Sequence, residues 1–178
     1  MKEGQWYYDY VEYVYENGLM NGMSLDTFVP NATVTRAQIA QVLYRLAGSP
    51  EYENASKLTD IDADAWYAEA VQWAATEEIV TGYEDGSFKP NRAITREELV
   101  TMVYRYAEYA GYRMNYTNDL SAFTDAAKVQ PYALEAMQWA VETEILEVEN
   151  NELRPTDAIT RAELASLLVR FYECFMRN

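Results

Sequence analysis

A run of the form Thr-Arg-x-Glu/Gln occurs three times, as Thr35-Arg36-Ala37-Gln38, Thr95-Arg96-Glu97-Glu98 and Thr160-Arg161-Ala162-Glu163, each time opening a helical pattern. The threonines are 95 − 35 = 60 and 160 − 95 = 65 residues apart, so the chain is three copies of one unit, the signature of an array. In the first two copies the register holds without a gap from Trp6/Trp66 through Phe28/Phe88 and Pro30/Pro90 to Arg45/Arg105. The third needs one deletion in its loop before Leu153, Pro155 and Arg170 fall into line. A unit this small buries little surface alone, so the copies are expected to pack on one another.

Each copy reads as helix, turn-rich loop, helix. In the first helices apolar residues recur at Val11 and Val14, Val71 and Ala74, Met137 and Ala140, with Leu19, Ile79 and Ile145 closing the stripe; the spacing is helical rather than alternating. The second helices carry an i, i+3, i+4, i+7 face: Ile39, Val42, Leu43, Leu46; then Leu99, Met102, Val103, Tyr106; then Leu164, Leu167, Leu168, Phe171. Between them, Gly22 to Pro30 and the run Gly82-Tyr83-Glu84-Asp85-Gly86-Ser87-Phe88-Lys89-Pro90 predict short turns or minimal hairpins. The expectation is a mainly helical, all-α fold. Polar linkers from Gly48 to Thr59 and from Gly111 to Ala122 divide it into repeats at 1–49, with a truncated lead-in, 50–113 and 114–178.

Composition excludes several classes of function. The 178 residues carry 14 basic and 29 acidic side chains, a net charge of −15, which argues against nucleic acid and against an anionic membrane surface. An anionic ligand must therefore be held locally. The chain has no histidine and one cysteine, Cys174, which rules out an internal disulfide and predicts neither a metal site nor a cofactor. No apolar run is long enough to span a bilayer, and the polar start after Met1 has no signal-peptide core, so no membrane insertion is expected and an exported parent would have been longer than this piece.

The threonine and the Gln38, Glu98 or Glu163 three positions on form a capping box. The arginine between them is different, because a cation at the first helical position opposes the macrodipole. Either an acidic neighbour within the protein offsets that, or an outside carboxylate does, gripped by the guanidinium and by free helix N-terminal amides. The residues alone leave the two even. Arg45, Arg105 and Arg170 also recur, but near helix C-termini, where the dipole favours them and a structural role is expected.

An acidic and aromatic lead-in recurs as well. Leu58-Thr59-Asp60 precedes Trp66-Tyr67, Phe123-Thr124-Asp125 precedes Tyr132, and Trp6-Tyr7-Tyr8 opens the first copy with no aspartate ahead of it. Trp73 and Trp139, with Tyr13 in the same register, are expected in the core. Trp66, Tyr132 and Trp6 divide evenly between core packing and an exposed platform for sugar rings.

Taken together, the Leu-Thr-Asp to Trp lead-in, the Glu69 to Ala74 and Glu135 to Ala140 helices, the Gly82 to Asn91 turn and the Ile-Thr-Arg helix starts make the chain resemble three tandem S-layer homology domains. The resemblance spans virtually the whole chain. It implies a pseudo-threefold helical assembly, a monomeric module of a larger exported protein, which anchors that protein non-covalently at the bacterial cell surface. The implied partner is a secondary cell-wall polysaccharide bearing an acidic pyruvate ketal, bound in grooves between repeats. Carried over, Arg96 is the main anion clamp, Asp60 the partner of sugar hydroxyls, Trp66 the platform and Gly82 the point of close backbone approach. Arg36 with Trp6 and Gly22, and Arg161 with Asp125 and Tyr132, would build the related grooves. The third loop departs from the pattern, with Glu147 in place of the glycine and Asn150-Asn151 in place of Asp-Gly. The middle groove is therefore preferred and the third ranked last.

The competing readings are a helical-repeat protein interaction module, which gives no reason for the arginines, and a glycosidase, for which no carboxylate pair stands out. A calcium loop at Glu84-Asp85-Gly86 is too short.

Overall fold

The computed structural model describes residues 4–24, 27–53, 56–112 and 116–177; the chain start, part of the first loop and parts of both linkers lie outside them. Among the described residues there are six α-helices: α1 (Tyr8–Glu16), α2 (Arg36–Leu46), α3 (Ala68–Thr76), α4 (Arg96–Tyr109), α5 (Leu134–Glu142) and α6 (Arg161–Phe171). Short 3₁₀ turns precede α5, and a π-helical turn, Tyr172–Met176, extends α6. Among the described residues there are only isolated bridges and no named strand. Two of them, Ser24 with Thr27 and Glu149 with Glu152, are the expected minimal hairpins.

The helix pairs do not follow the sequence repeats. α2 packs on α3, α4 on α5, and α6 on α1, so the second helix of each repeat pairs with the first helix of the next and the chain ends close the ring. The faces read from the sequence form this core: Val11, Val14, Val71, Met137, Leu99 and Leu164 are among its fully buried members. Trp73 and Trp139 are 0% exposed, while Leu19, Leu46 and Tyr13 are only half-buried at its margin.

A hydrogen-bonded triangle joins the repeats at the centre. The Val34 amide donates to the Ile159 carbonyl (3.0 Å), Ile159 to Ile94 (3.2 Å) and Ile94 to Val34 (2.9 Å), and all three side chains are buried. The triangle places the start of α2, α4 and α6 around one pseudo-threefold axis.

All three capping boxes form, the threonine hydroxyl accepting from the N3 amide and the N3 side chain accepting from the threonine amide. The amides one and two residues further on would be orphans in an isolated helix. Here the neighbouring repeat takes them. Arg36 and Ala37 donate to the Arg92 and Pro90 carbonyls, Arg96 and Glu97 to Asp157 and Pro155, and Arg161 and Ala162 to Ala32 and Pro30, all within 3.1 Å. The expectation of free helix N-terminal amides waiting for a ligand is thereby corrected.

Three grooves around a buried arginine ring

The recurring arginines are buried, with 5%, 4% and 5% exposure for Arg36, Arg96 and Arg161. Each pins the following repeat's loop through carbonyls: Arg36 Nε donates to Phe88 O (2.7 Å) and Nη2 to Thr81 O (3.4 Å), Arg96 to Leu153 O (3.0 Å) and Glu147 O (2.6 Å), and Arg161 to Phe28 O (2.8 Å) and Asn21 O (2.5 Å). Arg36 and Arg161 also lie over the Phe88 and Phe28 rings, at 4.6 and 4.2 Å from the centroids. Burial lowers the affinity of each guanidinium for its proton, yet an arginine stays charged in proteins. The helix-opening cation is thus first of all a staple between repeats.

These bonds fix the register of the third loop. Asn21, Thr81 and Glu147 offer the equivalent carbonyls, so Val148, not Glu147, stands where Gly22 and Gly82 do. A Cβ at Gly22 would come within 2.4 Å of Ser24 O, and one at Gly82 within 2.7 Å of a Leu58 methyl and 3.1 Å of Ser87 O. Closure of its own loop is reason enough for glycine at these points, and both glycines also line grooves.

A groove opens beside each arginine, and its members come from all three repeats. Arg36 shares a groove with Gly82 and Tyr132; Arg96 shares one with Glu147 and Trp6; Arg161 shares one with Gly22 and Trp66. The groupings carried over from the sequence, Arg96 with Trp66 and Gly82, Arg36 with Trp6 and Gly22, Arg161 with Tyr132, are therefore corrected. Each arginine meets the loop of the next repeat and the aromatic of the one after. The three aromatics are not packed in the core, Trp6, Trp66 and Tyr132 being exposed by 55%, 62% and 53%.

The aspartates stand apart from these grooves. Asp60 accepts from the Phe88 and Lys89 amides (2.7 and 2.8 Å), and Asp125 from the Leu153 and Arg154 amides (both 2.8 Å). Lys89 and Arg154 have positive φ, 58° and 52°, a strained conformation outside glycine, and the carboxylate clasp holds them there. Each carboxylate is thus engaged by two backbone amides of its own repeat's loop. Asp125 is buried, Asp60 exposed. Asp125→Ala is accordingly expected to destabilise the fold by about 3 kcal/mol, since hydrogen bonds to a charged group are worth roughly 1.5–3 kcal/mol each, and Asp60→Ala by clearly less. Parallel thermal and urea unfolding checks the ordering.

The grooves differ most in charge. Arg36 lies 3.4 Å from Glu98, which Arg92 also holds, and Arg96 lies 3.5 Å from Glu163, which Arg154 holds at 2.9 Å. The groove of Arg36 and Arg105 contains Glu84 and Glu98, two arginines against two glutamates. That of Arg96 and Arg154 contains Glu147, Glu149, Glu152 and Glu163, two against four. In the groove of Arg161 the capping-box residue is Gln38, Asn21 stands where the groove of Arg96 has Glu147, and Arg45 joins Arg161 with no lining carboxylate among the described residues. Among the described residues neither arginine makes an ion pair there. Arg45, Arg105 and Arg170 are thus more than dipole partners: the first two line grooves, and Arg170 reaches Glu147 at 3.7 Å. The sequence signal was present in Gln38 against Glu98 and Glu163, but capping explained all three equally well.

Burial raises the Glu98 and Glu163 carboxyls, but the cap amides, Tyr83 or Thr160 hydroxyls and paired arginines outweigh it and hold both below the ordinary 4.5. Asp125, also raised by burial, is brought below 3.8 by its two amides. Lowered folded-state values stabilise the fold above the ordinary values, and that contribution is lost as pH falls through the folded ones. Tm is therefore expected to decline progressively below about pH 4.5, and a calorimetric pH series checks it.

The fold and grooves define a class: a ring of three interlocked helical repeats with arginine-and-aromatic clefts on its rim. The chain belongs to the S-layer homology domain family, whose model matches residues 1–40, 57–100 and 122–165. It is 31% identical over 170 residues to an endoglucanase of Bacillus sp. (strain KSM-635), covering 94% of this chain and 18% of that protein. It is also 29% identical over 167 residues to the surface-layer 125 kDa protein of Lysinibacillus sphaericus, 92% of this chain and 14% of that one. With the cellulosome-anchoring protein of Acetivibrio thermocellus it shares 30% identity over 158 residues, 82% of this chain and 33% of that protein. The chain spans at most a third of these relatives, so the enzyme name belongs to a larger protein matched only over this part. This is a cell-surface anchoring module, belonging at the cell wall outside the bacterium.

Proposed function

We propose that the module tethers a larger exported protein by binding a cell-wall polysaccharide that carries a carboxylate, such as a pyruvate ketal, in the groove of Arg161, Arg45 and Trp66. The observation that carries this reading is charge. In a protein of net charge −15, this groove holds two arginines and no lining carboxylate among the described residues, beside an exposed indole. A guanidinium can grip a ketal carboxylate in bidentate fashion, and the Trp66 ring offers the apolar face a sugar stacks on. Arg36 and Arg96, already facing glutamates, would contribute weaker sites, which reverses the ranking expected from the third loop. The repeats 1–49, 50–113 and 114–178 would act as one unit, because each groove draws on all three.

The test is retention on purified sacculi before and after removal of their non-peptidoglycan polymer. Binding should vanish with the polymer and fall about tenfold or more for Arg45→Ala, a loss of roughly 1.4 kcal/mol, at unchanged Tm, since Arg45 is exposed and carries no ion pair among the described residues. Undiminished retention on stripped walls would sink the reading. Affinity should depend only moderately on salt, because the ligand charge is held locally.

A further inference from the structure

The loops of the first and second repeats close alike. The Met23 amide donates to the Thr27 carbonyl and the Tyr83 amide to the Ser87 carbonyl, both at 2.8 Å. Phe28, like Phe88, is buried, and its carbonyl is held by an arginine of another repeat. Val29, like Lys89 and Arg154, has a positive φ, 54°. For a β-branched side chain that backbone is an outlier, which surrounding contacts must hold in place. In the sister loops the holding contact is a carboxylate, Asp60 on the Phe88 and Lys89 amides and Asp125 on the Leu153 and Arg154 amides. The Phe28 and Val29 amides, in the matching loop, meet no acceptor among the described residues.

Successive backbone amides in a turn make an anion seat, and the two oxygens of one carboxylate satisfy both donors. Positive charge lies close by, since the Arg161 guanidinium sits over the Phe28 ring at 4.2 Å and donates to the Phe28 carbonyl. We propose that the Phe28 and Val29 amides form a third carboxylate seat, which takes an aspartate on an extended peptide strand from outside the 178 residues. The strand's backbone belongs to the recognition. Thr59 and Thr124, each one residue ahead of its aspartate, donate their amides to the Gly86 and Asn151 carbonyls, both at 3.0 Å. Asp60 lies 66 − 60 = 6 residues ahead of Trp66, so a strand joined directly ahead of Met1 carries an aspartate to the same place before Trp6. A strand on a separate molecule offers the same chemistry. The seat makes no use of Arg45 or Trp66, so it stands whether or not the groove beside them binds the wall polymer.

Amide NMR and thermal melting test the seat on the 178-residue protein, on the same protein with Leu-Thr-Asp joined ahead of Met1, and on a control with Leu-Thr-Ala there. The aspartate extension should slow hydrogen exchange at the Phe28 and Val29 amides by about tenfold or more. It should also raise Tm by about 4 °C or more, and the alanine control should do neither. Acetyl-Leu-Thr-Asp-amide, added at millimolar concentration to the unextended protein, separates the two sources. Shifts at the same two amides support a seat that accepts a strand from another molecule as well, and a response in the aspartate extension alone supports one that takes only a joined strand. Equal exchange and equal Tm in the two extensions, with no response to the peptide, would overturn the seat.

Discussion

Gln38→Glu is expected to weaken wall-polymer binding by about thirtyfold or more without lowering Tm. The substitution places in the groove of Arg161 the carboxylate that Glu98 and Glu163 place beside Arg36 and Arg96. It would face an incoming acid with a like charge, a juxtaposition that costs several kcal/mol at an interface, and would also occupy Arg161. The fold has no reason to suffer, because glutamate completes the same capping box in α4 and α6. Fixed-salt binding to purified polymer, with a melting curve for each protein, separates the two readouts. Unchanged affinity would show that the groove is not where the acid docks.

Arg96→Ala should act in the opposite way, with a large loss of stability and little direct effect on binding in the folded fraction. The side chain is 4% exposed, and its removal leaves the Leu153 and Glu147 carbonyls and the Glu163 carboxylate without it. Breaking a buried charged network from one side typically costs 3–5 kcal/mol. In a domain of this size that lowers Tm by roughly 10 °C, at about 2–4 °C per kcal/mol. Arg161→Ala would mix both effects, since Arg161 is staple and groove wall at once. The exposed Arg45 and the cap residue Gln38 are therefore the informative positions for binding.

The helices and their buried faces were legible because they obey local rules. A 3.6-residue period puts Leu99, Met102, Val103 and Tyr106 on one face whatever lies opposite, and all four are buried. The capping boxes involve residues three apart, and every one forms. The exposure of Trp66 against the burial of Trp73 was legible only in part, since both positions favour an aromatic and only the neighbouring helix decides which is covered. The loop-clasping role of Asp60 and Asp125 was not legible for a related reason. Their partners lie 28 and 29 residues away, and a carboxylate looks the same on paper whether it faces solvent or a strained loop.

The sequence by itself determined the threefold repetition, the six helices and the recurring arginine at each second-helix start, because all of these arise from residues near one another along the chain. Only the tertiary structure decided which arginine meets which loop and which aromatic. The ring pairs each repeat with its neighbour through the Val34, Ile94 and Ile159 triangle, so every groove combines three distant segments. Its charge is a sum over residues that no local window contains. That is why Gln38, a cap residue like its counterparts in the chain, becomes in space the position that leaves a pair of arginines unopposed among the described residues.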